Sequence, residues 1–180
     1  QIYYSDLGKG KPVLLIHGWP LNSQMWEYQT ESLLNKGFRV IAYDRRGFGQ
    51  SSKPASGYNY DVFASDLNEM MTQLDLNEVR LVGFSMGGGE IARYLATYGA
   101  RRVSKAVLIS AVVPYMMKTN DNPKGVEENV FSEMVKGLKE DRPKFLSQFG
   151  KQFYGQGLIS NNVSDEILQW SSYLAYQASP

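Results

Sequence analysis

Cysteine is absent from the 180 residues. Disulfides, thiol nucleophiles and Cys-ligated metal sites are therefore excluded. A cytoplasmic setting fits that absence. Histidine occurs once, as His17, so chemistry that needs an imidazole base has a single candidate here. Neither sign of charge is in excess. Nineteen Lys and Arg against eighteen Asp and Glu leave a formal net charge of +1, with no basic block. That balance gives no electrostatic footprint for nucleic acid. Long apolar runs are lacking too. The longest, Ala106 to Met117, is broken by Ser110 and Pro114, short of the roughly 20 residues that span a membrane. Residue 1 is Gln, and no charged-then-apolar leader precedes the first apolar segment. A processed or trimmed N-terminus is expected.

What remains has a globular composition, 43% hydrophobic and 21% charged, so a wholly disordered chain is ruled out. The length fits one domain, or one domain with an appendage. Ile2 to Tyr4 is a candidate short edge strand, ended by Gly8-Lys9-Gly10-Lys11-Pro12. Val13-Leu14-Leu15-Ile16 is an unbroken apolar run, the mark of a strand buried on both faces. Trp26 to Lys36 predicts a helix with Trp26, Leu33 and Leu34 on one side and Gly37 placed to cap it. Phe38 to Tyr43 predicts a second buried strand, with the loop Asp44 to Gly49 after it. Phe63, Leu67, Met70 and Leu74 recur at helical spacing within Asp61 to Leu74. Val79–Val82 predicts a third strand, Glu90–Tyr98 a helix stopped by Gly99, and Val103–Ile109 contains a fourth strand. Strands alternating with helices predict an α/β fold: a mostly parallel central sheet flanked by helices.

The pattern changes at Pro114. Three helical stretches follow without an intervening strand. Val130, Met134 and Leu138 mark the first. Pro143 starts the second, which carries Leu146, Phe149 and Phe153. Ser164 is placed to cap the third, with Ile167, Leu168, Leu174 and Ala175. Residues 1–113 thus read as a sheet core and 114–180 as a helical cap inserted after the fourth parallel strand.

Gly83-Phe84-Ser85-Met86-Gly87 matches the G-x-S-x-G nucleophile elbow, with a strand directly before it and a helix after it. A strand-to-helix reversal at Ser85 needs a sharp turn, and the flanking glycines let the backbones pass closely. The turn would set the hydroxyl at a helix N-terminus, where the dipole favours negative charge. Acyl transfer also needs N–H donors for the developing oxyanion. The Met86 N–H, just after the nucleophile, is one candidate. The loop His17-Gly18-Trp19-Pro20 supplies the other, the Trp19 N–H. Pro20 has no N–H and a fixed φ, and constrains how Trp19 presents its backbone. An ordinary Gly/Ser loop and a plain strand-end turn are the bland alternatives for these segments.

In order and spacing, His17-Gly18-Trp19-Pro20, Asp44-Arg45-Arg46-Gly47-Phe48-Gly49-Gln50-Ser51 and Gly83-Phe84-Ser85-Met86-Gly87-Gly88-Gly89-Glu90 resemble the α/β-hydrolase superfamily. The triple-glycine-glutamate ending and Pro114-Tyr115-Met116-Met117-Lys118-Thr119 resemble its cofactor-free (non-haem) haloperoxidase, arylesterase and perhydrolase branch. The resemblance implies serine-esterase chemistry on small esters, together with peracid formation from a carboxylic acid and hydrogen peroxide. Halide oxidation would follow from the peracid, with no haem, metal or other cofactor. It assigns Ser85 as nucleophile and the Trp19 and Met86 N–H groups as oxyanion donors. Pro20 is similar to the peracid-forming members.

The chain departs from the family in one respect. The superfamily order is Ser, then Asp or Glu, then His, and no His follows Ser85. His17 reads as a structural or loop-shaping residue. Asp121, Asp141 and Asp165 follow Ser85 but fall in the cap, where solvated cap or helix-end positions suit them better than a triad acid. Asp44 reads as fixing its turn, through Arg45, Arg46 or loop N–H groups, rather than as a relocated acid. Ala106-Val107-Leu108-Ile109 is apolar on both faces, as in an interior strand; as the last strand it would leave a bare apolar edge. The expectation is a hydrolase whose last core strands, with the acid and the histidine, lie outside these residues, in a second polypeptide or in sequence beyond Pro180. Phe84 has the best claim of the aromatics to the substrate pocket, by adjacency to Ser85.

Three functions stay open at this point. One is a serine carboxylesterase with perhydrolase capacity, acting on a small ester or carboxylic acid with hydrogen peroxide as a second reactant. Another is an inactive fragment or ligand-binding module. The last is a thioesterase, lipase or carbon–carbon hydrolase on the same scaffold. No motif encodes the oligomeric state, and a homo-oligomer stays open as well.

Overall fold

The computed structural model describes residues 1–156 and 162–180. They divide into two compact units, Gln1–Pro114 with Gln177–Pro180, and Tyr115–Tyr176.

The first unit is built on a five-stranded sheet, β1 (Tyr4–Leu7), β2 (Pro12–Ile16), β3 (Arg39–Tyr43), β4 (Val79–Phe84) and β5 (Val103–Ile109), in the order β1-β3-β2-β4-β5. β1 runs antiparallel to β3, and the remaining neighbours are parallel. The central β2 carries the apolar run Val13 to Ile16, all buried. Its side chains alternate between faces as a strand requires. Leu14 and Ile16 join Ile41, Tyr43 and Leu81 under α2 (Tyr60–Gln73) and α3 (Met86–Tyr98). Val13 and Leu15 join Val40, Ala42 and Trp26 on the other face, beside Leu33 and Leu34 of α1 (Glu27–Asn35). Each fully buried Leu or Ile contributes about 1.5–3 kcal/mol of transfer free energy, so this double-sided burial fixes the register of β2.

The α/β arrangement read from the sequence is the one found, with three local shifts. The edge strand lies at 4–7 rather than 2–4. Its register with Val40–Tyr43 is set by backbone pairing and by a bidentate Arg39–Asp6 contact (2.8 and 2.6 Å), not by side-chain burial. A short 3-10 turn, Ser23–Trp26, precedes α1, so the helix starts at Glu27. Gly37 (φ 78°) closes α1 as expected. Its N–H donates to Leu34 O and the Phe38 N–H to Leu33 O, the paired bonds of a Schellman cap. β5 pairs only with β4 among the described strands, and Val107, Leu108 and Ile109 are exposed. Finally, α3 begins at Met86, four residues ahead of the sequence reading.

The second unit holds α4 (Glu128–Phe153) and α5 (Asp165–Tyr176). α4 is interrupted at Asp141 (φ −154°, ψ 83°), whose carboxylate accepts the Lys144 N–H at 3.0 Å. Asp141 thus caps a second helical segment with Pro143 in its first turn, where a missing N–H costs nothing. The two expected stretches are therefore distinct segments of one run. Ser164 Oγ accepts the Ile167 N–H at 3.3 Å and caps α5. Phe145, Phe149 and Phe153 stack along α4. Among the described residues no helix is long and apolar enough to cross a membrane.

Candidate active site

β4 ends at Phe84, α3 starts at Met86, and Ser85 is the whole connection. Its backbone has φ 52° and ψ −116°, a region that costs a non-glycine residue about 1–3 kcal/mol. The surroundings over-determine it. The Ser85 N–H donates to Ile109 O at 2.9 Å, and Ser85 O accepts the Gly88 and Val112 N–H groups at 3.0 and 3.1 Å. Helix and strand also cross too closely for side chains. A Cβ at Gly83 would stand 2.5 Å from Gly87 O, and one at Gly87 would stand 2.4 Å from Ile16 O. Ser85 is half-buried. Met86 follows as the first residue of α3, where N–H groups have no carbonyl one turn back, at the positive end of the helix dipole.

The loop after β2 comes to the same place. A Cβ at Gly18 would lie 2.8 Å from Phe84 Cδ1 and 3.2 Å from Ser85 Cβ. The backbone of residue 18 therefore lies directly against the elbow. Trp19 is half-buried, Pro20 is buried, the bond between them is cis, and the Leu21 N–H closes the turn on Gly18 O at 3.1 Å. Phe84 is half-buried, packed with Val82 against the cluster that holds Trp26.

His17 is fully buried. Its Nε2 accepts the Arg45 N–H at 3.0 Å, and its Nδ1 lies 3.0 Å from Gly18 O. Burial, reinforced by the nearby Arg45 charge, holds its pKa well below the usual imidazole value, against the opposing pull of the Gly18 bond. The ring is thus neutral and internal.

Asp44 is also buried, and its carboxylate accepts the Ser23 and Gln50 N–H groups, each at 2.8 Å. Of the partners weighed from the sequence, the loop N–H groups are the ones it uses. Arg46 pairs with Asp66 instead (2.6 Å twice), and Arg45 with Glu90. Asp121 and Asp165 are exposed. The Thr119 hydroxyl donates to Asp121 at 2.7 Å and lowers its pKa.

The structure brings together a buried set that no sequence pattern links: Tyr43, Arg45 and Glu90. Arg45 Nε donates to Glu90 Oε2 at 2.7 Å, the Tyr43 hydroxyl donates to Glu90 Oε1, and Arg45 Nη2 donates to His17 O at 3.1 Å. The Arg45 guanidinium also lies over the Phe63 and Phe48 rings, at 5.1 and 5.7 Å, which offsets part of its desolvation. Burial pushes the Glu90 carboxyl up, while Arg45 and the hydrogen bonds pull it down. Burial raises Tyr43 well above the phenol range, which keeps it a neutral donor. The available signal was Glu90 itself, a carboxylate between Gly89 and Ile91 on a buried helical face, since such a charge demands a partner.

A cleft of 480 Å³ in the first unit is lined by Gln1, Tyr4, Arg46 and Asp66 among others, and by none of residues 17–20 or 83–87.

A mostly parallel sheet, a strained serine between strand and helix, and a backbone loop laid against that serine define an α/β hydrolase. Residues 11–176 match the family model described as alpha/beta hydrolase fold, and the chain belongs to that family. Its relatives include a putative non-heme chloroperoxidase of Synechocystis sp., 54% identical over 180 residues, which cover 99% of this chain and 65% of the relative. A bifunctional esterase/perhydrolase of Acinetobacter calcoaceticus is 40% identical over 174 residues, covering 94% of this chain and 63% of the relative. The crystal structure of a bromoperoxidase from Bacillus anthracis superposes with a TM-score of 0.95 at 49% identity, over 99% of this chain and 65% of that one. The chain therefore spans somewhat less than two thirds of the length of the proteins it matches.

Proposed function

We propose that the protein is a serine hydrolase acting on small carboxylic esters through an acyl-enzyme on Ser85, with peracid-forming capacity. The observation that carries this reading is the Ser85 backbone, held at φ 52° between β4 and α3. Such strain persists where the surroundings enforce it, and it clusters at functional sites. The esterase/perhydrolase relative supports the substrate class.

In this reading Ser85 Oγ attacks the ester carbonyl carbon, and the oxyanion that forms accepts the Trp19 and Met86 N–H groups. The bond to the alcohol oxygen breaks, and the alcohol leaves with the serine proton, delivered by a general base. Water then releases a carboxylic acid and restores the hydroxyl. Hydrogen peroxide in its place releases a peroxy acid, which can oxidise a halide as it returns to the carboxylic acid. Phe84 and Pro20 border the acyl group. His17 is buried with both ring nitrogens engaged, so the base is assigned to residues outside these 180, and the triad acid with it.

Labelling by a fluorophosphonate tests the reading. The intact protein is expected to gain one phosphonyl adduct on Ser85, and Ser85→Ala to gain none and to lose hydrolysis of p-nitrophenyl acetate. An intact, folded protein that never labels defeats the proposal and leaves a ligand-binding module of the same fold.

A further inference from the structure

We infer that His17 is a positioning residue for the oxyanion site: by its hydrogen bond to the Gly18 carbonyl, the ring orients the peptide plane that carries the Trp19 N–H. The inference rests on the reading of that N–H as a donor. The Gly18 C=O and the Trp19 N–H are the two ends of one peptide unit. That unit is not among the two cis bonds, Trp19–Pro20 and Val113–Pro114. In a trans unit the C=O and N–H point in opposite directions and turn together. Fixing the oxygen therefore fixes the direction of the hydrogen.

The ring is itself fixed. Its Nε2 accepts the Arg45 main-chain N–H at 3.0 Å. A neutral imidazole with an accepting Nε2 carries its proton on Nδ1, so Nδ1 donates to Gly18 O, 3.0 Å away. Burial and the Arg45 charge both hold the ring in that neutral form. The preceding peptide unit is held as well, because Arg45 Nη2 donates to His17 O at 3.1 Å.

Residue 18 needs such restraint from outside. A Cβ there would strike the Phe84 ring at 2.8 Å, so only glycine fits, and glycine is the residue with the greatest backbone freedom. Two donors limit that freedom at Gly18 O. One is the Leu21 N–H of the local turn, at 3.1 Å. The other is the His17 ring, which ties the plane to the loop after β3.

Two substitutions in the intact protein separate the ring's two bonds. The amide nitrogen of His17→Asn takes the place of Nδ1 and can still donate to Gly18 O. The carboxamide of His17→Gln reaches the place of Nε2, accepts the Arg45 N–H and leaves Gly18 O without this donor. The Gln variant is expected to lose about 10- to 100-fold in kcat on an aryl ester with KM little changed, less than loss of a whole oxyanion donor. The Asn variant is expected to stay within about threefold of wild type, because that donor is retained. The Asn variant should have the lower thermal midpoint, since it removes the acceptor of the buried Arg45 N–H, whereas Gly18 O keeps the Leu21 N–H in the Gln variant. A merely structural role would make kcat follow the midpoint instead. Wild-type kcat in the Gln variant, or equal losses in both, overturns the inference while ester hydrolysis by Ser85 still stands. No Ser85-dependent hydrolysis in wild type overturns both readings. Should neither variant fold, the imidazole nitrogen-15 spectrum of wild-type His17 decides. Protonated Nδ1 with bare Nε2 supports the inference, and the opposite tautomer overturns it.

Discussion

Arg45 Nε stands 2.7 Å from Glu90 Oε2, and solvent reaches neither side chain. The pair joins the loop after β3 to α3, the helix that starts one residue beyond Ser85. Removing one partner of a buried pair leaves the other charge uncompensated, which typically costs about 3–5 kcal/mol. Glu90→Leu should therefore lower the urea-derived unfolding free energy by that amount. Glu90→Gln keeps an acceptor within reach of Arg45 and should lose clearly less. Equal losses would mean that packing, not pairing, holds this position.

Ser85 stores strain that glycine would release. The release is worth about 1–3 kcal/mol, against about 0.5–1 kcal/mol for the extra freedom of glycine in the unfolded chain. Ser85→Gly is expected to be more stable than wild type by about 1 kcal/mol, by the same two terms, and to give no fluorophosphonate adduct. Calorimetry reads the first outcome and intact mass the second. A lower thermal midpoint would show that the elbow is relaxed.

Two glycine-to-alanine changes in helices should have opposite signs. At Gly87 the new Cβ would meet Ile16 O at 2.4 Å, forcing α3 off β2 at a cost of about 1–3 kcal/mol. At Gly150, inside α4, nothing lies within 4 Å of the new atom, so the gain in helix propensity of up to about 1 kcal/mol is free to appear. Thermal melts of the two variants check the contrast, and a destabilised Gly150→Ala would count against it.

His17 makes stability depend on pH above the carboxylate range. Its folded pKa is depressed by burial first and by Arg45 second. Below about pH 6.5 the unfolded chain therefore binds a proton that the native state refuses. The stability is fully present above that pH and falls as pH drops, by up to about 1.4 kcal/mol per unit. Urea titrations at pH 7.5, 6.5 and 5.5 should show the fall in wild type and a flatter profile in His17→Gln. Parallel profiles would mean that the ring protonates without leaving its place.

Much of this was legible from local pattern alone. The run Val13 to Ile16 announced a strand buried on both faces, and Gly83 to Gly87 a reversal between strand and helix. Where the reading slipped, the deciding interactions were distant in sequence. Ile2 and Tyr3 have the character of strand residues, whereas an edge strand is placed by its partner's backbone, here at Tyr4–Leu7. Glycines 87 to 89 disfavour a helix by about 1 kcal/mol each, which points to a start of α3 at Glu90. A Cβ at these positions would stand 2.4, 2.3 and 2.7 Å from Ile16, Ala111 and Tyr60, so tertiary packing demands glycine there and overrides that preference. Arg45 and Glu90 pair across 45 positions, and no periodicity carries such a signal. Asp44 binds backbone N–H groups of Ser23 and Gln50, donors that every residue but proline possesses and no side-chain pattern marks.

The hydrogen bonds that gather His17, Arg45 and Glu90 draw together segments following three different strands. All of them form when the chain folds, before any small molecule arrives. On the proposed reading, an ester entering beside Ser85 would meet a loop already held in place and would forfeit little of its binding free energy to stiffening it. Native-state hydrogen exchange at the Arg45 amide should accordingly be as slow as in the sheet itself, unusual for a residue that lies in a loop.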